Sequence, residues 1–299
     1  MNSPSVVELD GPWRHEMLHT RGIRLHAATL GRANDPLIVC IHGSIGGWFD
    51  YKDVLEPLAA AGHHVAAVDL RGYGMSDKPP VDAGQDMRTL IGDITGLIQA
   101  LGHDSATLIG NDTGAALAWC VACERPERVD AVVSVSGAHP VDLRRAIAAR
   151  PWDFGWFLLR TVVFRLPLPI VRVLVKNPRI GLDTKLNTLT QGPAEEANQH
   201  LREQAMAIDH SLRGTVWNHR LLTAPIPRAG LDGKAQAPVL FVHASQRLWW
   251  PVIRRARRRA ESLVTAYIPK TKNLPHIENP EKFARTVTLW LGRYRRSNN

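Results

Sequence analysis

The sequence predicts an α/β protein: a mostly parallel sheet, helices on both of its faces, and one helical insertion. Three observations carry this. Five runs, Leu37–Ile41 (LIVCI), 64–70 (HVAAVDL), 106–110 (ATLIG), 131–137 (AVVSVSG) and 238–243 (PVLFVH), are largely continuous apolar stretches rather than alternating ones, as strands buried on both faces must be. Helical patterns at 51–61, 86–101 and 115–123 lie between them, and strand alternating with helix means a covered parallel sheet. The rhythm stops at Pro140 and resumes only at Pro238, leaving a long stretch with no strand candidate. Ahead of the first buried run, 14–19 and Ile23–Leu30 alternate around an Arg-Gly pair and read as a hairpin. The expected division is a core of 1–139 and 233–299 with a helical lid at 140–232.

Composition narrows the classes. With 44% apolar and 22% charged residues the chain is not a disordered one. The charge, 37 Lys+Arg against 28 Asp+Glu, is +9. No run approaches the roughly 20 apolar residues of a bilayer span, and the start, MNSPSVVELDGPW, lacks the build of a signal peptide. A cytoplasmic protein is expected. Cys40, Cys120 and Cys123 read as buried thiols, because no second CxxC or nearby ligand histidines accompany them. The stretch 151–175 is dense in apolar residues, among them Trp152, Phe154, Trp156 and Phe157, but carries Arg160, Arg165 and Arg172. It reads as a lid over an apolar pocket, with peripheral membrane contact left open. The arginine-rich run 253–260 reads as a solvated helix face and not a nucleic-acid surface.

The chemistry centres on Gly110-Asn111-Asp112-Thr113-Gly114, between a strand and the helical run AALAWCVAC. A sharp strand-to-helix turn between two glycines exposes its middle residue at the carboxyl edge of the sheet, beside helix N-terminal N–H groups. That residue is Asp112. A helix-capping aspartate would carry the same pattern.

With this context the chain resembles the α/β-hydrolase superfamily over nearly its whole length. His42-Gly43 is similar to the oxyanion-loop motif, 69–79 (DLRGYGMSDKP) to the signature after the second core strand, and 275–283 (PHIENPEKF) to the segment around and after the catalytic histidine. An aspartate at the elbow, with Gly137-Ala138-His139-Pro140 leading into the lid, is most similar to the epoxide hydrolase and dehalogenase branch. The resemblance implies that Asp112 attacks carbon to form an ester, which a water activated by histidine then cleaves. It assigns His42, Gly43, Ser44, Thr113 and Trp48 to substrate binding and the oxyanion site. An ionised carboxylate needs no base to attack, whereas water does.

The chain departs from the pattern at the second step. Asn273 stands where the branch carries its histidine and Arg247 where it carries the acid. Asparagine takes no proton at neutral pH, and arginine cannot orient an imidazole as a carboxylate does. Thr113 replaces the halide-binding tryptophan of dehalogenases, and Tyr51, Tyr73, Tyr267 and Tyr294 all lie outside the insertion, where epoxide hydrolases place two tyrosines. His219 stands in the place of one of them as a candidate proton donor, and His139, His243 and His276 are candidate substitute bases.

Three readings follow: a slow or atypical epoxide hydrolase built on Asp112, a lyase, isomerase or cyclase using Asp112 as base, or a silent ligand-binding relative. An Arg247–Asp112 ion pair would favour the third. The expected ligand is small, organic and apolar, with an anionic group left open; no cofactor or metal site is expected.

Overall fold

The computed structural model describes residues 2–80, 86–176, 193–224, 233–243 and 249–298. Among them eight strands form one sheet: β1 (Arg14–Thr20), β2 (Ile23–Leu30), β3 (Leu37–Ile41), β4 (His64–Val68), β5 (Ala106–Asn111), β6 (Val129–Val135), β7 (Val239–His243) and β8 (Leu263–Tyr267). Their spatial order is β1-β2-β4-β3-β5-β6-β7-β8. The β1–β2 and β2–β4 pairs are antiparallel and all others parallel. Arg21 and Gly22, with φ 30° and 91°, make the two-residue turn of the expected hairpin.

Each continuous apolar run is buried because helices cover both faces. On one face Leu37, Val39 and Ile41 of β3 pack with Leu90 and Ile94 of α2 (Met87–Ala100) and Leu117 of α3 (Thr113–Glu124). On the other, Ile38 and Cys40 meet Val54 and Leu55 of α1 (Lys52–Ala60) and Phe283 of the C-terminal helix (Pro280–Asn298). Cys40 and Cys120 are buried free thiols, and Cys123 is a half-buried one.

No described residue between β6 and β7 is in a strand. That stretch holds α4 (Pro140–Ala149), α5 (Gly155–Val163), α6 (Leu168–Lys176), α7 (Pro193–Met206) and α8 (Ser211–Thr223). Phe164, Val163 and Val171 form a small core with Val216 of α8, so part of the insertion's apolar content serves its own packing. Of the four aromatics named above, Trp152 is exposed, Phe154 is buried and Phe157 half-buried, and the Trp156 side chain lies outside the described residues.

The insertion is seated on the core by a close backbone contact. A Cβ on Gly214 of α8 would lie 2.6 Å from Gly72 Cα, and Gly72 itself has φ +85°. Asn218, one turn further, donates to the Arg71 carbonyl at 2.9 Å. Because the obstacle is backbone, Gly214→Ala is expected to lift α8 and destabilise the protein by about 1–3 kcal/mol. A lower urea midpoint with unchanged slope would show it; an unchanged midpoint would mean that α8 and the loop at Gly72 move apart freely.

The arginine-rich run lies in α9 (Trp249–Arg259), where Arg254, Arg257 and Arg258 are exposed. Arg259 corrects the solvated reading: it is buried and pairs with Asp142 of α4. Trp249 is buried and Trp250 exposed. No helix among the described residues is long and apolar enough to cross a membrane.

Candidate active site

Asp112 follows β5 and opens α3, with φ 51° and ψ −118°. Such a conformation costs a non-glycine residue about 1–3 kcal/mol and persists only where its surroundings enforce it. Here they do. A Cβ on Gly110 would lie 2.5 Å from Gly114 C, and one on Gly114 would lie 2.2 Å from Ile41 O, so both elbow glycines are required by contact. A Cβ on Gly43 would approach Asp112 Cβ to 3.0 Å, which explains the glycine after His42.

Both carboxylate oxygens are engaged. Ser44 N–H donates to Oδ2 at 3.3 Å from the loop after β3. Arg160 of α5 donates from Nη2 to Oδ1 at 2.6 Å. The Arg160 side chain is 8% exposed and that of Asp112 25%. Burial would push the Asp112 carboxyl up, but Arg160, aided by the Ser44 N–H, offsets this and holds it below its ordinary value. Asp112 is therefore ionised at neutral pH.

A polar chain runs beside this pair. Ser44 Oγ shares a hydrogen bond with His219 Nδ1 at 2.8 Å and donates to Thr113 Oγ1 at 3.1 Å, while His219 Nε2 meets Thr161 Oγ1 at 3.3 Å. Burial, and then Arg160, push His219 well below its ordinary pKa, so it is a neutral imidazole. The Phe164 ring lies edge-on to it at 4.9 Å. From the core, Tyr73 donates its hydroxyl to the Ser44 carbonyl at 2.9 Å.

The remaining sequence candidates lie as follows. His42 donates from Nδ1 to the Gly43 carbonyl at 2.7 Å and accepts the Leu70 N–H on Nε2 at 3.1 Å, so it braces two loops. Trp48 is not at the site but in the core, its indole donating to the Val7 carbonyl at 2.9 Å. The backbone explains the motif at 69–79: Asp69, buried yet held at about 2 by His26 and other partners, accepts the N–H groups of Trp48 and Met75, both at 3.0 Å, which sets the loop carrying Tyr73.

His139 and His276 are not placed as bases. His139 caps α4, its Nδ1 accepting the Val141 N–H at 3.3 Å, and burial with Arg259 nearby takes its pKa to about 3. His276 is fully buried and stacked on Tyr51 at 4.6 Å, and burial takes it to about 3 as well. A residue that protonates only near that pH cannot hold a proton taken from water at neutral pH. His243 ends β7, and Asn273 lies in the loop between β8 and the helical turn Pro275–Glu278. Arg247 falls outside the described residues.

Sequence reasoning missed Arg160 and Tyr73 as site residues. Arg160 was legible only as a charge in an apolar run. A signal existed, because Phe157, Arg160, Thr161 and Phe164 are spaced to share one helix face.

Comparison with known proteins agrees with this architecture. The family model described as alpha/beta hydrolase fold matches residues 36–246. The AB hydrolase superfamily protein YfhM of Bacillus subtilis is 41% identical over 125 residues, 42% of this chain and 44% of that protein. Epoxide hydrolase B of Mycobacterium tuberculosis is 36% identical over 124 residues, 41% of this chain and 35% of that protein. Each match thus spans less than half of the relative's length. Among solved structures, an epoxide hydrolase from Vigna radiata superposes with TM-score 0.74 at 21% identity, covering 94% of this chain and 99% of that one. A candidate acyltransferase from Salmonella enterica gives 0.79 at 20%, covering 94% and 96%. At such identities the structures speak for the fold and not for the reaction.

Proposed function

Since this chain belongs to the α/β-hydrolase family, we propose that it is an epoxide-hydrolase-like enzyme in which Asp112 attacks a small apolar epoxide and the resulting ester is hydrolysed slowly. The observation that carries this reading is the ionised Asp112 carboxylate on a strained elbow, with the Ser44 N–H on its Oδ2. That donor supports the oxygen left behind as the ester carbonyl, while Oδ1 attacks. The relatives named epoxide hydrolase support the substrate class. Slowness follows from Asn273 in the position of the base and from His139 and His276, which are held in structural roles. Losing general-base assistance costs about 10² to 10⁴ in rate.

The Arg160–Asp112 pair favours a second reading, a binding relative in which the cation silences the carboxylate. Asp112 as a general base is the weakest of the three, because a carboxyl held below its ordinary pKa is a poor proton acceptor.

The test is to incubate the protein with styrene oxide and 1,2-epoxydodecane, following intact mass and diol together, with Asp112→Asn as control. The proposal expects a mass increase equal to the epoxide, dependent on Asp112, forming faster than diol is released. Neither adduct nor diol across the panel would shift the conclusion to the binding relative.

A further inference from the structure

Arg160 is bonded unlike the other buried arginines. Arg71, Arg202 and Arg259 each grip one carboxylate with both Nε and Nη2, on Asp93, Asp50 and Asp142 respectively. These two nitrogens form one edge of the guanidinium, the fork that matches paired acceptors. Arg160 uses only half of it. Nη2 holds Asp112 Oδ1 at 2.6 Å, whereas Nε is buried and has no hydrogen-bond partner among the described residues. A buried donor left unmade costs about 1–3 kcal/mol, so Arg160 Nε, beside the Asp112 carboxylate, calls for an acceptor that the described residues do not supply. The flat face of the guanidinium is covered by the Phe157 ring, 5.4 Å from the ring centroid to Cζ.

We propose that Arg160 Nε is the subsite for the oxygen of an uncharged ligand and that Arg160 is a catalytic residue of the ring opening. The inference rests on the epoxide reading for its chemistry, but the subsite can be tested by binding alone. Charge arithmetic selects an uncharged acceptor. Among the described buried groups Arg160 and Asp112 sum to zero and His219 is neutral, with Arg165 exposed beyond it, so a carboxylate ligand would leave a net negative charge on this buried set, whereas an epoxide or carbonyl oxygen leaves the balance intact.

The same arithmetic holds along the reaction. An Oδ1 lone pair forms the bond to a ring carbon, the carbon–oxygen bond of the ring breaks, and its electron pair goes to the departing oxygen. Negative charge thus moves from Asp112 to the alkoxide, from the acceptor on Nη2 to the acceptor on Nε of one cation. The alkoxide then takes a proton from water and leaves hydroxide, giving the hydroxyalkyl ester. Arg160 would thereby supply what the insertion's missing tyrosines supply elsewhere, and Asp112 need not be freed from its partner before substrate enters.

The experiment has two arms. In the first, single-turnover adduct formation from styrene oxide is followed by intact mass in the parent, Arg160→Met and Arg160→Lys. Arg160→Met is expected to be slower by about 10² to 10³, the effect of removing one preorganised donor. The loss should persist on the high-pH plateau, which separates a missing donor from mere protonation of an unpaired Asp112. Arg160→Lys keeps the charge without the fork, guards against a folding artefact, and should also be slow. Adduct formation by Arg160→Met at or above the parent's rate would overturn the catalytic role.

The second arm measures phenylacetamide and phenylacetate binding by calorimetry and needs no ester. The amide should bind the parent at least about tenfold more tightly than it binds Arg160→Met, consistent with loss of a hydrogen bond to a charged group, and the acid should bind more weakly than the amide. Equal amide affinity in parent and variant, no amide binding by the parent, or tighter binding of the acid would overturn the subsite. Absent adduct with intact amide discrimination would place the failure in the epoxide reading and leave the subsite standing.

Discussion

Asp112→Asn is expected to abolish adduct formation and at the same time to destabilise the protein. The chemical loss should be on the order of 10⁴ or more, because a neutral amide replaces the carboxylate that we propose to attack the epoxide. The stability loss comes from the partner. Arg160, 8% exposed, would retain its charge with no carboxylate to meet it. Breaking a fully buried pair costs about 3–5 kcal/mol, and solvent at the 25%-exposed Asp112 side chain reduces this to about 1–3 kcal/mol. Asparagine tolerates a positive φ, so the elbow itself adds little to the cost. The acid limb of the stability curve provides a second readout. The folded Asp112 carboxyl lies below the unfolded value of 3.8, so its contribution is present above that pH and is lost as pH falls through the folded pKa. In urea titrations across this range, the parent should lose more stability on acidification than Asp112→Asn does. Parallel curves would show that the pair contributes nothing to folding in solution.

How far the sequence could be read follows from what each residue type can signal alone. β3 is the run LIVCI itself, because a strand covered on both faces needs apolar residues at every position. β8 is not among the runs read as strands although Leu263–Tyr267 (LVTAY) is largely apolar: it is a short edge strand directly after the arginine-rich run, and its residues are only half-buried or exposed. The elbow was legible because backbone geometry demands glycines at fixed spacing. The partners of Asp112 were not, since a pair separated by 48 residues leaves no local pattern. In the sequence Arg160 is one charge in an apolar run, and its position opposite Asp112 emerges only when α5 is laid over the sheet edge. Tyr73 reaches the site from the core rather than from the insertion, through a loop whose shape is set by buried Asp69.

Restoring the base should release the second half-reaction. Asn273 follows β8 in the loop at the carboxyl edge, the same edge at which β5 delivers Asp112, because β5, β6, β7 and β8 run parallel. His276, three residues on, cannot serve in its stead: its ring is stacked on Tyr51, whose hydroxyl bonds Asn111 Oδ1 at 3.1 Å, and moving it would open the packing behind the elbow. Asn273→His is therefore expected to raise diol turnover by about 10²-fold, the low end of general-base assistance. The low end applies because the resemblance puts Arg247 at the acid position, and an arginine there would not hold the new imidazole in its productive tautomer. The signature is kinetic. In the parent, an initial burst of ester should precede slow diol release; in Asn273→His the steady rate should rise and the accumulated ester fall, with the rate of the first step unchanged. A second change, Arg247→Asp, should then add to the gain by supplying the orienting carboxylate. An ester that accumulates in Asn273→His as it does in the parent would mean that this loop does not bring position 273 to the ester, and that the resemblance fails at its third motif.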